Sequence, residues 1–255
     1  MSKRITLKKK LREGRPLFGL VHALNDLAVA GIAAAAGIDW LFIEGEHSAL
    51  SFTEIERVLQ VLPPSCPGVV RVPLADEIWV KKVLDSGADG IIFPQINTAE
   101  EAARAVSWCR YPPQGRRGIG LARAHGYGKT FGEYLDHANE DVCVIVQVEQ
   151  KEGAENIEEI VRVEGIDVIF VGPYDLSASL GLTGRVDHPE VRSRIDHIFR
   201  TAKEAGLYTA IFGMDAAAVQ PYLEAGFDLF AVGLDFDYFS RALQRELSLF
   251  RRMGG

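Results

Sequence analysis

The chain has little cysteine: Cys66, Cys109 and Cys143 are scattered through 255 residues and no two form a CxxC pair. An odd, dispersed set of thiols offers neither a disulfide framework nor a zinc site, and it points to a reducing, cytoplasmic setting. A long hydrophobic run is also missing. The longest apolar stretch, Leu27 to Ile38, lies between Asp26 and Asp39 and is rich in alanine. It falls well short of the roughly 20 residues that span a bilayer, so no membrane partner is expected. Positive charge is in deficit, with 28 Lys and Arg against 35 Asp and Glu and a formal net charge of −7. That balance argues against a nucleic-acid partner, whose surface carries cations to neutralise phosphates. The exception is the N-terminal stretch holding Lys3, Arg4, Lys8, Lys9, Lys10, Arg12 and Arg15. No apolar segment or cleavage site follows it, and it is expected to form a solvated amphipathic helix.

Short runs rich in β-branched and aromatic residues alternate with longer stretches of helical period, the pattern of repeated βα units. The runs are Leu17 to Val21, Leu41 to Ile43, Val69 to Val72, Gly90 to Phe93, Val142 to Val148, Val168 to Val171, Tyr208 to Phe212 and Leu229 to Val232. Amphipathic segments at Phe52 to Leu62, Glu77 to Ser86, Ala99 to Cys109, Gly153 to Val163, Pro189 to Ala205 and Ala216 to Ala225 supply the crossovers. One phrase recurs at the helix ends: AAGIDW (35–40), DSGADG (85–90), EGIDVI (164–169), EAGLY (204–208) and EAGFDLF (224–230). Its glycine stops the helix in a left-handed conformation and the apolar residues after it open the next strand. Eight nearly continuous apolar strands predict one (β/α)8 TIM-barrel domain over residues 1–255 rather than an open doubly wound sheet. The segment Tyr111 to Tyr134 is too long for a βα connection and is expected to be a lid, an interface or disorder. Phe236 to Arg252 reads as a terminal helix that closes the barrel or docks on a neighbour.

Chemistry in such barrels sits at the C-terminal ends of the strands. There the chain places Glu44 to His47 after the second run, Arg71 at the third, Gln147 and Glu149 at the fifth, and Gly172 to Asp175 after the sixth. Gln147 and Glu149 are two apart on a strand and point the same way. Glu149, Asp175 and a neutral amide form a hard oxygen set suited to Mg²⁺ or Mn²⁺; the alternative is structural carboxylates held by an Arg or a helix N-terminus. His47 is an acid/base candidate that Glu44 could hold in one tautomer. Arg71 offers a planar fork for a substrate carboxylate, or an ion pair to Glu44 or Glu46. Phe212 and Leu234, at strand ends, are candidates to line the pocket.

Together these residues resemble the metal-dependent class II pyruvate aldolases of the HpcH/HpaI family, which includes 4-hydroxy-2-oxoheptane-1,7-dioate aldolase. The resemblance rests on GIDWLFIEGEH (37–47), VVRVP (69–73), VLDSGADGIIFPQINTAEEA (83–102), RYPPQGRRGIG (110–120), QVEQKEG (147–153) and IFVGPYDLS (169–177). It implies a barrel enzyme, trimeric or hexameric with its terminal helix exchanged between subunits, that reversibly cleaves a 4-hydroxy-2-oxo acid to pyruvate and an aldehyde. It further implies a divalent ion (Mg²⁺, Mn²⁺ or Co²⁺) on Glu149 and Asp175, Arg71 at the keto oxygen and His47 as the acid/base. Gly172, Pro173 and Tyr174 fall where the family binds the pyruvate carboxylate. Asp85 corresponds to a residue donated from a neighbouring subunit near the entrance.

Two positions depart from the family pattern. Glu44 stands where close members have Asp, and Val21, followed by His22, stands where they place Trp. These changes bear on the aldehyde pocket and leave the metal positions intact. Four other readings compete: a Schiff-base aldolase, for which Lys151 is the nearest lysine; a phosphate-binding barrel, which the acidic GLDFD at 233–237 disfavours; another metal-enolate lyase or decarboxylase; and a non-catalytic barrel that binds 2-oxo acids.

Overall fold

The computed structural model describes residues 4–253; Lys3 of the N-terminal basic cluster lies outside them. A short helix, α1 (Leu7–Leu11), precedes the strands β1 (Leu17–His22), β2 (Trp40–Glu44), β3 (Gly68–Arg71), β4 (Gly90–Phe93), β5 (Cys143–Val148), β6 (Val168–Val171), β7 (Tyr208–Gly213) and β8 (Leu229–Leu234). All pair in parallel, each with its sequence neighbour, and β8 returns to β1 to close the barrel. The interleaved helices are α2 (Leu27–Ala35), α3 (Phe52–Val61), α4 (Glu77–Asp85), α5 (Ala99–Cys109), α6 (Phe131–Asp141), α7 (Lys151–Glu155), α8 (Ile157–Ile160), α9 (Pro173–Ser179), α10 (Pro189–Glu204) and α11 (Ala216–Ala225). Helix α12 (Asp235–Met253) ends the described chain. None of the described helices is long and apolar enough to cross a membrane.

The recurrent helix-stop phrase does what its chemistry requires. Gly37, Gly87, Gly165, Gly206 and Gly226 all take positive φ, between +77° and +97°, a region that side chains with a Cβ avoid. Alternation along the strands then divides the core in two. One set, including Trp40, Phe42, Val69, Ile92, Ile145, Phe170 and Leu229, fills the barrel interior, and a larger set lies between the strands and the helices.

Three local expectations are corrected. The N-terminal segment is not a solvated helix: Leu7 and Leu11 are buried with Leu17 and Trp40 and plug the N-terminal end of the barrel. The segment read as one helix from Gly153 to Val163 breaks at Asn156 into α7 and α8. The stretch after β6 is the helix α9 with Pro173 in its first turn, where the missing N–H costs nothing. The long segment after α5 is no lid on its own barrel. Its Arg117 reaches back to Asp85 at 2.9 Å and lies 4.6 Å over the Tyr111 ring, at the barrel end opposite the strand C-termini. His125 is buried inside that segment, its Nδ1 accepting the Gly128 N–H at 3.2 Å and its Nε2 lying 2.6 Å from the Gly120 carbonyl oxygen.

Candidate active site

The C-terminal ends of the strands surround a cavity of about 250 Å³, lined by Val21, Phe42, Glu44, His47, Arg71, Gln147, Phe170, Gly172, Pro173, Tyr174, Asp175, Phe212, Met214 and Leu234. Ten of the twelve site residues read from sequence are in that lining; the exceptions are Glu149 and Asp85. Glu149 sits directly behind the wall. Asp85 ends α4 at the opposite end of the barrel, so within one chain it is not brought to the cavity.

Register explains the first pairing. Glu44 and Arg71 are cross-strand partners at the last positions of β2 and β3. Their side chains meet in a two-point contact, Arg71 Nε to Glu44 Oε1 at 3.1 Å and Nη2 to Oε2. Glu44 Oε1 also accepts the backbone N–H groups of Glu46 and His47, at 2.7 and 3.1 Å, and so fixes the loop that carries the histidine. The expected contact of Glu44 with the imidazole is not made, because both its oxygens are taken. The carboxylate beside His47 Nε2 is Glu46, at 3.7 Å. Arg71 lies over the Phe42 ring at 5.3 Å, and Phe42 meets Phe170 edge to face, so a rigid aromatic floor holds the guanidinium. Burial works against the Arg71 charge, but Glu44, Glu46 and Glu149 outweigh it and its pKa is raised.

Glu149 follows β5 and is 3% exposed. Its Oε1 accepts the Gln95 N–H at 2.9 Å and its Oε2 accepts the Gln147 amide. Burial pushes its carboxyl up, the hydrogen bonds from Gln147 and Gln95 pull it back and the nearby Asp175 adds repulsion, with the balance at about 7. Asp175 is in the first turn of α9 and open to the cavity. The glycine between them is a packing requirement: a Cβ on Gly172 would lie 2.8 Å from both Glu149 Cβ and Glu149 Oε2.

These residues fit a divalent cation. A carboxyl held up to about 7 by burial beside a second carboxylate is a site whose charge a cation would relieve. Gln147 Oε1 is buried without a partner. Every donor is oxygen, as a hard ion demands. Among the described residues no cluster of three or more His, Cys, Asp or Glu is placed to hold a metal, so the chain itself offers two carboxylates and leaves further positions to solvent and substrate. Lys151 does not serve a Schiff base in this arrangement: it is exposed, faces Glu155 at 3.8 Å, and the lining contains no lysine.

Sequence reasoning missed several residues here. Phe42, Phe170 and Met214 line the cavity, the first two by the inward alternation of their strands. Gln95 takes a left-handed φ of 55° to present its N–H to Glu149. Such strain in a non-glycine residue leaves no mark in composition or period.

Residues 17–242 match the family model described as HpcH/HpaI aldolase/citrate lyase. The chain belongs to that family. It is accordingly a carbon–carbon lyase. It is 42% identical over 232 residues to a 4-hydroxy-2-oxovalerate aldolase of Rhodococcus jostii (strain RHA1), covering 90% of each chain. It is 39% identical over 247 residues to a 2-keto-3-deoxy-L-rhamnonate aldolase of Salmonella gallinarum (strain 287/91 / NCTC 13346), covering 96% of this chain and 92% of that one. Among solved structures, an HpcH/HpaI aldolase/citrate lyase family protein from Burkholderia cenocepacia J2315 superposes with a TM-score of 0.92 at 38% identity, covering 96% of this chain and 98% of the other.

Proposed function

We propose that the protein cleaves a 4-hydroxy-2-oxo acid to pyruvate and an uncharged aldehyde, reversibly, at the cavity between Arg71 and Glu149. The observation that carries this reading is the joint placement, on one rim, of a cation fork (Arg71), a buried carboxylate with a second beside it (Glu149 and Asp175), and an open imidazole (His47).

Cleavage removes the proton of the C4 hydroxyl, makes C4 a carbonyl, breaks the C3–C4 bond and leaves its electron pair as the pyruvate enolate, which is then protonated at C3. A Mg²⁺, Mn²⁺ or Co²⁺ ion bound at Glu149 and Asp175 would supply Lewis-acid stabilisation of the charge that collects on the 2-oxo oxygen. Arg71 adds fixed positive charge at the same oxygen. Among the described residues, no protein acceptor meets its Nη1, which stays available to substrate while Glu44 holds the other side of the fork. His47, open on the rim, takes the hydroxyl proton in cleavage and returns it in condensation. The first turn of α9, with Gly172, Pro173 and Tyr174 in the cavity wall, borders the pyruvate carboxylate.

The class of aldehyde follows from the remaining walls. Val21, Phe212, Met214, Leu234 and Tyr174 form an apolar side, and Arg71 is the one Lys or Arg among the lining residues. A carboxylate or phosphate at the far end of the aldehyde would be desolvated there without a partner, at a cost of several kcal/mol. This favours short aldehydes without charge over semialdehydes of diacids. Asp85 from a neighbouring subunit, within a trimer or hexamer, would complete the entrance.

The test is pyruvate release from a panel of 4-hydroxy-2-oxo acids by EDTA-stripped protein, with and without each ion. Metal-restored cleavage, fastest for the uncharged tails, is expected. Activity indifferent to EDTA refutes the metal site, and a preference for dicarboxylates refutes the assignment of the apolar wall.

A further inference from the structure

The carboxylate that serves His47 is not the one its strand-end position suggests. Glu44 is saturated: its oxygens take Arg71 twice and the N–H groups of Glu46 and His47. Glu46 is different. Its side chain is only 8% exposed, yet its Oε2 has no hydrogen-bond partner in the folded chain. That oxygen lies 3.3 Å from Arg71 Nε and 3.7 Å from His47 Nε2, while Oε1 accepts the Gln95 side-chain amide at 3.2 Å. The same Gln95 gives its backbone N–H to Glu149. Glu46 is thus held from below by Arg71 and from the side by Gln95, with one unsatisfied oxygen turned toward a histidine whose side chain is 65% exposed and free to swing.

We infer that Glu46 is the positioning residue for His47: its unpartnered oxygen closes onto Nε2–H when substrate fills the cavity, fixes the tautomer and leaves Nδ1 as the proton acceptor. Catalytic hydrogen bonds are often long in the free protein and tighten in the complex. A buried carboxylate oxygen without a hydrogen-bond donor is costly, and rotation of an exposed ring across the 3.7 Å gap would supply that donor once substrate fills the cavity. The inference rests on the aldol reading for its chemistry, but its geometry can be tested apart from it.

Two reactions of one enolate separate the roles. Aldol cleavage needs a base for the C4 hydroxyl proton, whereas decarboxylation of oxaloacetate releases CO₂ from C3, gives the same pyruvate enolate and has no hydroxyl proton to remove. Glu46→Gln is expected to lower cleavage kcat at least about tenfold more than decarboxylation kcat, within the range general-base catalysis spans. In a His47→Ala background, Glu46→Gln should cost cleavage nothing further, since a group acting through the imidazole has no effect once it is gone. Glu44→Gln, by loosening Arg71, should lower both reactions alike. Equal losses in both reactions for Glu46→Gln, or losses additive with His47→Ala, overturn the inference.

A crystal structure of the wild-type protein with pyruvate and Mg²⁺ supplies a readout independent of turnover. The imidazole is expected within about 2.7–3.2 Å of Glu46; an imidazole turned to Glu44, or away from both, refutes the assignment. Wild-type protein that performs neither reaction overturns the proposed function, and the crystal structure still decides for or against Glu46.

Discussion

Replacing Glu149 by Gln isolates the energetic strain built into the site. Burial, opposed by the hydrogen bonds from Gln147 and Gln95 and reinforced by Asp175, raises the carboxyl from an ordinary 4.5 to about 7. The folded protein therefore holds this proton more tightly than the unfolded chain does, so stability is lost as pH rises from about 4.5 through 7. At about 1.36 kcal/mol per pH unit, the ionised Glu149 costs the metal-free fold about 3 kcal/mol above pH 8. Urea unfolding in EDTA across pH 4 to 8.5, for wild type and Glu149→Gln, reads that cost as a difference, in which titrating groups away from the site cancel. The variant should match the wild type near pH 4 within the fixed cost of the amide, and gain on it progressively to about 3 kcal/mol by pH 8. Excess Mg²⁺ should then stabilise the wild type and not the variant. A difference that does not change with pH, or a variant that loses ground toward pH 8, refutes the argument that Glu149 is a desolvated charge awaiting a cation.

Three further outcomes are expected. Gly172→Ala drives a Cβ to 2.8 Å from Glu149 and should reduce pyruvate release by about a hundredfold or more while the far-ultraviolet circular dichroism is kept; turnover near the wild-type level would show that Glu149 can move freely. Leu7→Ala opens a void at the sealed end of the barrel and should cost about 2–5 kcal/mol in urea unfolding, with the metal requirement of the reaction unchanged. Helix α12 leaves Phe239, Leu243 and Phe250 at least 59% exposed, a face suited to another copy of the chain, and Phe239→Asp with Phe250→Asp should shift light-scattering mass from oligomer to monomer.

Much of the architecture was legible because the chain announces it with signals of short range. Five glycines that terminate helices, and eight runs too apolar for one-sided burial, locate the barrel without any long-range information. What escaped had no such signal. Helix α2 is apolar on all sides, so Leu27–Ala35 shows no period. The burial of Leu7 depends on an open barrel end that only the closed sheet creates. At the site, residue types and rim placement came from local pattern, and so Glu44, Arg71, Gln147, Asp175 and His47 are found around one cavity. Partner choice did not. Spacing along the chain suggests Glu44 for His47, whereas cross-strand register commits Glu44 to Arg71 and leaves Glu46 for the histidine.

Closure of the barrel by β1 against β8 also sets a clock. The first strand leaves the ribosome with one of its two edges unpaired, and with Leu7 and Leu11 exposed beside it, until Leu229–Leu234 arrives some 200 residues later. At about 5–20 residues per second this interval is about 10–40 s, far longer than collapse of a small chain. For that time the nascent protein is an open sheet with an unpaired edge, the form most prone to pair with a second chain. The residues that seal the finished barrel are thus among its earliest hazards, and slowing translation near the end of the message should lower soluble yield before any property of the folded enzyme changes.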